Sequence, residues 1–221
     1  MFENFSEMML ELFATSLWET VIMVGVSGVV GGLVGIPLGV FLRLTDKGGI
    51  LQNAPANAVV GGIVNAARST PFIILLVAII PFTRLVTGTS IGTWAAVVPL
   101  TLAAAPFIAR LVETALREVD GGLVEAAQSM GATTGQIVWK VLLPEALPGL
   151  LAAATVTAIA LVDYSAMSGA IGGGGLGDMA IRYGYQRYET EVMLVTVALL
   201  IVLVQALQIA GNRLVVHFTR R

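Results

Sequence analysis

Residues 125–144, EAAQSMGATTGQIVWKVLLP, are the most informative segment for the architecture of this chain. It is punctuated by glycine and threonine, is only weakly apolar, and lies between long hydrophobic runs. Those runs have the length and composition of membrane-spanning helices. An ordered polar insert between such helices needs a surface to pack against, and the rest of the chain indicates where that surface lies.

The composition is that of a polytopic helical membrane protein. Of the 221 residues, 57% are hydrophobic and 12% are charged, whereas a soluble domain carries about 25% charged residues. The absence of cysteine excludes disulfides and thiolate metal sites, and a single histidine, His217, excludes a histidine-cluster metal site and a histidine-based triad. No basic block is present to bind nucleic acid. Glu3, Glu7 and Glu11 precede any Lys or Arg, so no signal peptide is predicted.

Five segments are long and apolar enough to cross a bilayer, which requires about 20 residues per helix. Their approximate bounds are residues 17–42, 59–82, 91–112, 146–171 and 192–210. Pro71 should kink the second segment, because proline removes a backbone hydrogen bond. Arg68 either reaches the inner interface of the membrane or holds a carboxylate or helix end inside the bundle. The prediction is an all-α membrane bundle of five transmembrane helices.

The distribution of Lys and Arg predicts an N-out, C-in orientation. With the N-terminus outside, the basic residues on or near the cytoplasmic side are Arg43, Lys47, Arg110, Arg117, Lys140, Arg213, Arg220 and Arg221. Those on the outside are Arg84, Arg182 and Arg187. The insert at 125–144 is then cytoplasmic.

Glycines recur along the first segment at intervals of mostly three or four residues. They are Gly25, Gly28, Gly31, Gly32, Gly35 and Gly39. Small residues allow helices to approach closely in a membrane, where lipid provides no hydrophobic drive between helices. The stripe predicts packing within the subunit, and a dimer face is the alternative.

The first half of the insert predicts a short helix with a face of small residues. This face is formed by Ala126, Ala127 and Met130. Gly131 is expected to end the helix. A helix that lies on lipid would carry bulky apolar and basic residues, but no basic residue precedes Lys140 in the insert. Docking into a protein groove is therefore favoured over binding to lipid.

The second half of the insert predicts another helix, capped by Thr133 or Thr134. Its apolar face is formed by Ile137, Val138, Val141 and Leu142. Pro144 and Pro148 are expected to end this helix and to begin the fourth membrane segment.

The insert resembles the EAA loop of the permease subunits of ABC importers. The resemblance lies in Glu125, Ala126, Ala127 and Gly131, and in the apolar run that follows them and ends in LP. The similarity covers about residues 16–221 and includes RSTPFIILLVAIIPFTR, GTSIG, VPLTLAAAPFIARLVETAL, KVLLPEALPGL, YSAM and GGGGLG. Within that family, these stretches look like the permeases of methionine importers. Asp163, just before YSAM, departs from the small neutral residue that the resemblance leads us to expect.

The resemblance implies a single transmembrane permease domain over residues 1–221 with a coupling segment at residues 120–144. The residues that would dock into a cytoplasmic ATPase are Glu125, Ala126, Ala127, Met130 and Gly131. Two copies of the chain would line one pathway in the bacterial inner membrane. Two ABC ATPase subunits would drive it, and a periplasmic or lipid-anchored binding protein would supply the substrate. Methionine, L- and D-, is the implied substrate, with another amino acid or a methionine derivative as the alternative.

No catalytic site is apparent in the sequence. The glycine run Gly172–Gly175 is followed by Leu176, Gly177 and Asp178, without the lysine of a phosphate loop. This run is expected to be a flexible turn outside the membrane or part of a surface that meets a binding protein. No nucleophile–base pair and no metal-ligand set is apparent. We therefore expect no cofactor in this chain, with ATP and Mg²⁺ bound by the partner ATPase.

Four residues of the fourth segment are candidates for the translocation pathway or its gate: Asp163, Tyr164, Ser165 and Met167. An ionisable residue within a membrane segment is a functional candidate. Asp163 is expected to meet a substrate ammonium, to pair with Arg68, or to form a local hydrogen bond. Two copies of Met167 would close a gate across a dimer axis, and ordinary packing is the alternative.

A secondary transporter that works alone is the competing function. Such a protein would show paired repeats with broken helices and several ionisable residues within the membrane. Here only Asp163 and Arg68 qualify as ionisable candidates. A membrane scaffold without transport activity would give no reason for the insert.

Overall fold

The computed structural model describes residues 7–219, and every regular element within them is helical. The long helices are α1 (Glu7–Thr45), α5 (Thr93–Arg117), α9 (Leu147–Ser168) and α11 (Thr190–Thr219). The short helices are α2 (Ala54–Ser69), α3 (Phe72–Ala78), α4 (Ile80–Thr87), α6 (Gly121–Ser129), α7 (Thr134–Ile137), α8 (Leu143–Glu145) and α10 (Gly175–Met179). A 3₁₀ turn covers Gly169–Ile171, and π turns cover Val138–Leu142 and Ala180–Tyr185. Glu3, Arg220 and Arg221, which entered the predictions above, lie outside the described residues.

The described residues contain four helices that are long and apolar enough to cross a membrane. They are α1, α5, α9 with its following turn, and α11. A fifth span is obtained when α2 and α3, which are bent by 98° relative to each other, are taken as one broken span. The prediction of an all-α membrane bundle is therefore confirmed. Following the charge-based prediction, the end of the bundle where α1 begins is called the outer end, and the opposite end is called the inner end.

Pro71 breaks the second predicted segment far more sharply than a kink would. Thr70, the residue before it, is extended, with φ −82° and ψ 121°, as expected before proline. α3 then begins at Phe72, whose ring stacks on Tyr164 of α9 with centroids 4.7 Å apart and planes inclined by 11°. The chain turns at the proline, and the aromatic contact fixes the new direction.

The first helix packs against α5 through part of its glycine stripe. A Cβ added at Gly31 would lie 2.7 Å from the Cβ of Ala104, and one added at Gly39 would lie 2.6 Å from the carbonyl oxygen of Ala109. Added Cβ atoms at Gly25 and Gly32 would meet no atom within 4 Å. Packing within the subunit therefore explains one face of the stripe, and the other face is left open.

The glycine run at the outer end is fixed in place by α1, so the prediction of a flexible turn was wrong. The Gly175 N–H donates to the Glu19 carboxylate over 2.7 Å, and the Leu176 N–H donates to the Thr20 hydroxyl over 2.9 Å. Gly174 and Gly175 adopt left-handed backbone angles, with φ of 80° and 75°, which glycine adopts without steric cost. Two side chains of α1 thus provide the N-terminal hydrogen bonds of α10.

Replacing Gly177 by alanine is expected to lower the free energy of unfolding by about 1–3 kcal/mol, the usual cost of overpacking. An added Cβ would overlap with the backbone of Ala166, which belongs to α9. The matched control is Gly62→Ala in α2, where an added Cβ meets nothing within 4 Å. Thermal unfolding of the purified chain in detergent measures both changes. Equal melting temperatures for the two variants would contradict the close approach of α10 to α9.

Candidate functional sites

The first helix of the insert, α6, is longer than the sequence predicted. It begins at Gly121, because the Asp120 carboxylate caps it by accepting a hydrogen bond of 2.6 Å from the Gly122 N–H. It ends as predicted, with Gly131 in the left-handed region at φ 77°. The Gly131 N–H donates to the Gln128 carbonyl, and the Ala132 N–H donates to the Ala127 carbonyl, over 2.9 and 3.0 Å. This is the hydrogen-bond pattern of a Schellman motif.

The predicted threonine cap of the second helix is confirmed at Thr133. Its hydroxyl accepts from the Gln136 N–H over 3.4 Å, and the Gln136 side chain accepts from the Thr133 N–H over 2.9 Å. The two caps leave only a short link between α6 and α7.

The prediction is confirmed for Pro148, which lies in the first turn of α9 and so begins the fourth membrane segment, whereas Pro144 lies inside the helical stretch that it was expected to end. The chain passes from α7 through the π turn and α8 to a turn at Ala146, whose N–H donates to the Leu142 carbonyl over 3.0 Å, and then into α9. Both prolines lie in the first turn of a helical piece, where a missing N–H costs little. The insert and the fourth membrane segment thus form a connected helical path.

Burial divides the insert into an anchored face and a free face. Ala127, Ile137 and Leu142 are buried in the main hydrophobic cluster together with Leu116 of α5. The exposed residues of the free face include Glu125, Ala126 and Met130, with Met130 82% exposed. Ala127 therefore does not share the free face with Ala126 and Met130. In a segment whose first helix has few bulky residues, periodicity does not decide which alanine points inward.

Sequence reasoning missed Trp139 as a candidate contact residue of the insert. Trp139 lies in the π turn with 74% of its surface exposed. Tryptophan is enriched at protein interfaces and at the water–membrane interface, so an exposed tryptophan in the insert is a candidate contact residue.

A network of charged side chains at the inner end joins three helices and was also missed. Glu113 of α5, only 2% exposed, accepts from Arg110 over 2.6 Å and from Arg117 over 2.7 Å. Arg117 also pairs with Asp46, just beyond α1, over 2.8 Å. Arg110 donates to the Gly61 carbonyl of α2 over 2.9 Å. The spacing of three and four residues between these charges was the available sequence signal.

The four candidate pathway residues of α9 point in different directions. Asp163 and Met167, one turn apart, are exposed, with Met167 at 47%. Tyr164 stacks on Phe72, and Ser165 is buried and donates to the Val162 carbonyl over 2.7 Å. Only Asp163 and Met167 are therefore available to a pathway or to a second copy of the chain.

Asp163 and Arg68 form no ion pair in the part of the chain that the structure describes. The Arg68 guanidinium carbon instead lies 5.8 Å from the centroid of the Phe107 ring, within the range of a cation–π contact. Among residues 7–219, no group of three or more His, Cys, Asp or Glu side chains is arranged to hold a metal ion.

Comparison with known proteins gives matches over most of the chain. Residues 35–221 match the family model described as "Binding-protein-dependent transport system inner membrane component". A Vibrio cholerae protein named "Probable D-methionine transport system permease protein MetI" is 59% identical over 205 residues, which are 93% of this chain and 91% of that protein. The Escherichia coli K12 protein named "D-methionine transport system permease protein MetI" is 59% identical over 164 residues, 74% of this chain and 76% of that protein.

Solved structures also match the fold of this chain. A chain from the structure described as "Inward facing conformations of the MetNI methionine ABC transporter" superposes with a TM-score of 0.95 at 55% identity, over 96% of this chain and 99% of that chain. A chain from "Crystal structure of an amino acid ABC transporter with histidines" superposes with a TM-score of 0.74 at 23% identity. At that identity, the second match supports the fold alone.

Proposed function

Because the chain belongs to the family of binding-protein-dependent transport system inner membrane components, we propose that it is the membrane-spanning subunit of an ATP-driven importer of methionine, L- and D-. In this proposal, two copies form one translocation pathway in the bacterial inner membrane. Two cytoplasmic ABC ATPase subunits drive it, and they bind the ATP and Mg²⁺. A periplasmic or lipid-anchored binding protein delivers the substrate.

One observation carries this proposal. The match at 55% identity to a chain of a methionine ABC transporter extends over 96% of the present chain. The family match over residues 35–221 likewise includes the coupling segment at residues 120–144. A stand-alone secondary transporter would give no reason for a segment that matches a chain of an ABC transporter in fold.

The geometry of the insert supports a role in coupling. The free face of α6 is small and polar except for Leu123 and Met130, which suits entry into a protein groove at close backbone distance. The buried Ala127, Ile137 and Leu142 connect the same segment to α5 and α9 through one cluster. A movement imposed on α6 by an ATPase would be transmitted to the inner ends of two membrane helices. ATP shifts this equilibrium only if it binds the inward- and outward-open states with different affinity.

The exposed face of Asp163 and Met167 is assigned, in this proposal, to the pathway between the two copies. Met167 would close the pathway with its flexible apolar side chain, and Asp163 would meet the ammonium group of the amino acid.

Replacing Asp163 by asparagine is expected to reduce uptake at low methionine concentration by about 10-fold or more, since a hydrogen bond to a charged group contributes about 1.5–3 kcal/mol. Asp163→Glu, which keeps the charge, should retain more uptake than Asp163→Asn. Unchanged uptake and substrate preference in Asp163→Asn would remove Asp163 from the mechanism.

Uptake of labelled methionine by proteoliposomes tests the function. The complex of this chain, its ATPase and its binding protein is reconstituted with ATP inside. We expect uptake of L- and D-methionine that requires hydrolysable ATP. Uptake without ATP would support a secondary transporter, and ATP-driven uptake of a different amino acid would retain the importer while replacing the substrate.

A further inference from the structure

An apolar groove of about 470 Å³ opens between α1 and α11, with α5 and α9 behind it. The residues that define it are Gly25, Gly28 and Gly32 of α1, Ala154 and Ala158 of α9, and Leu207 of α11. Nearly all of its wall is hydrocarbon, and Thr157, the polar residue of the lining, already donates its hydroxyl to the Ala153 carbonyl over 2.8 Å. The groove therefore offers a ligand no unpaired hydrogen-bonding group from that threonine.

The groove has its volume because three positions of α1 that line it are glycines. A Cβ added at Gly25 or Gly32 would lie in open space, with no atom within 4 Å. Gly31 and Gly35, in contrast, are in tight contact with α5. The glycine stripe thus allows close contact with α5 on one face of the helix and leaves a groove on another. Helix contact accounts for Gly31 and Gly35, but it does not account for Gly25 and Gly32.

The groove lies away from the candidate pathway. On α9, Ala154 precedes Asp163 by nine residues, which is about two and a half turns, so the two residues point in opposite directions. Around the groove, the exposed surfaces of α1 and α11 are apolar and include Val29, Leu33 and Val202. The groove is therefore a recess in the exposed apolar surface of these membrane-spanning helices.

We propose that this groove binds an acyl chain of a membrane phospholipid. At the depth of the membrane spans the surrounding medium is hydrocarbon, which lacks water to fill a recess. An apolar recess that is continuous with the lipid-facing surface is filled by the material on that surface. The inference rests on the membrane spans of the chain and holds whatever substrate the complex transports.

Native mass spectrometry of the complete transporter in mild detergent tests the proposal, with phospholipid of known composition as the probe. The variant Gly25→Leu/Gly32→Leu fills the groove from α1. The matched control Val30→Leu/Val34→Leu adds volume to other faces of the same helix, where both valines are already exposed. We expect the wild-type complex and the control to retain phospholipid, and the groove variant to retain about tenfold less, which corresponds to about 1.4 kcal/mol.

A second variant keeps the result interpretable if the α1 substitutions disturb folding. Ala158→Leu fills the same groove from α9 and leaves α1 unchanged. Loss of lipid in both groove variants, with the complex intact, would support the proposal. Equal lipid retention in the groove variants and the control would overturn it. Loss of the dimer instead of the lipid would also overturn it, since a second copy of the chain would then be the occupant.

Discussion

Replacing Gly131 by aspartate is expected to leave the chain folded but to reduce methionine transported per ATP hydrolysed to near background, or to prevent assembly with the ATPase. Gly131 has φ 77°, and a Cβ there would meet nothing within 4 Å. The local cost of a left-handed non-glycine residue is about 1–2 kcal/mol, and aspartate tolerates this conformation better than most residues. The expected damage therefore comes from a charged side chain on the docking face, not from loss of the helix end.

Gly131→Asn is the matched control for this substitution, because asparagine has the same shape and tolerates the same backbone angles without the charge. It should retain a larger share of coupled uptake than Gly131→Asp. The measurement is the ratio of methionine uptake to ATP hydrolysis in proteoliposomes. A Gly131→Asp complex that assembles and transports at the normal ratio would contradict a docking role for this end of α6.

Replacing Glu113 by alanine is expected to lower the free energy of unfolding by about 2–3 kcal/mol. Removing one partner of a fully buried ion pair costs about 3–5 kcal/mol. The smaller figure applies because the arginines remain partly exposed, with side chains 22% exposed for Arg110 and 52% for Arg117. Loss of the carboxylate leaves both guanidinium groups without their shared acceptor on α5.

Arg117→Ala is the comparison for Glu113→Ala, because Arg117 is the more exposed member of the same network. Its removal should cost less than about 1 kcal/mol, the usual range for exposed ion pairs. Denaturant unfolding of the purified variants in detergent measures both values. If the two variants are equally stable, Glu113 does not hold the inner ends of α1, α2 and α5 together.

Local signals in the sequence were sufficient to predict where α6 ends and where the next helix begins. Gly131 and the threonine cap act within one turn of the backbone, so residue type predicted a helix end at Gly131 and a cap at Thr133 or Thr134, and the structure selects Thr133. The start of α6 was missed, because Asp120 is followed by two glycines that resemble a loop. Its carboxylate nevertheless supplies the cap.

The features that the sequence did not predict depend on contacts between residues that are far apart in the chain. The glycine run was interpreted as flexible because its partners, Glu19 and Thr20, lie more than 150 positions earlier in the chain. Pro71 predicted a disturbance of the second segment, but the sharp turn also depends on the contact between Phe72 and Tyr164. Likewise, only packing against α5 and α9 shows that Ala127 faces inward and Ala126 outward.

The candidate pathway residues also show what residue type predicts and what depends on packing. An ionisable residue in a membrane segment is visible in the sequence, and Asp163 is indeed on an accessible face. Tyr164 and Ser165 were grouped with it by proximity along the chain. A helix rotates about 100° per residue, so adjacent positions seldom share a face, and these two serve packing and a local hydrogen bond instead.

Single-cysteine labelling at Met130 tests most directly the claim that α6 carries the contact with the ATPase. The chain contains no cysteine, so Met130→Cys and the control Tyr188→Cys each provide a unique thiol at closely matched exposure, 82% and 87%. In intact cells, a membrane-impermeant thiol reagent should label position 188 and leave position 130 unlabelled. In the purified complex, a short cross-linker should join position 130, but not position 188, to the ATPase subunit. Labelling of position 130 from outside, or failure of position 130 to cross-link to the ATPase in an assembled and active complex, would contradict the account.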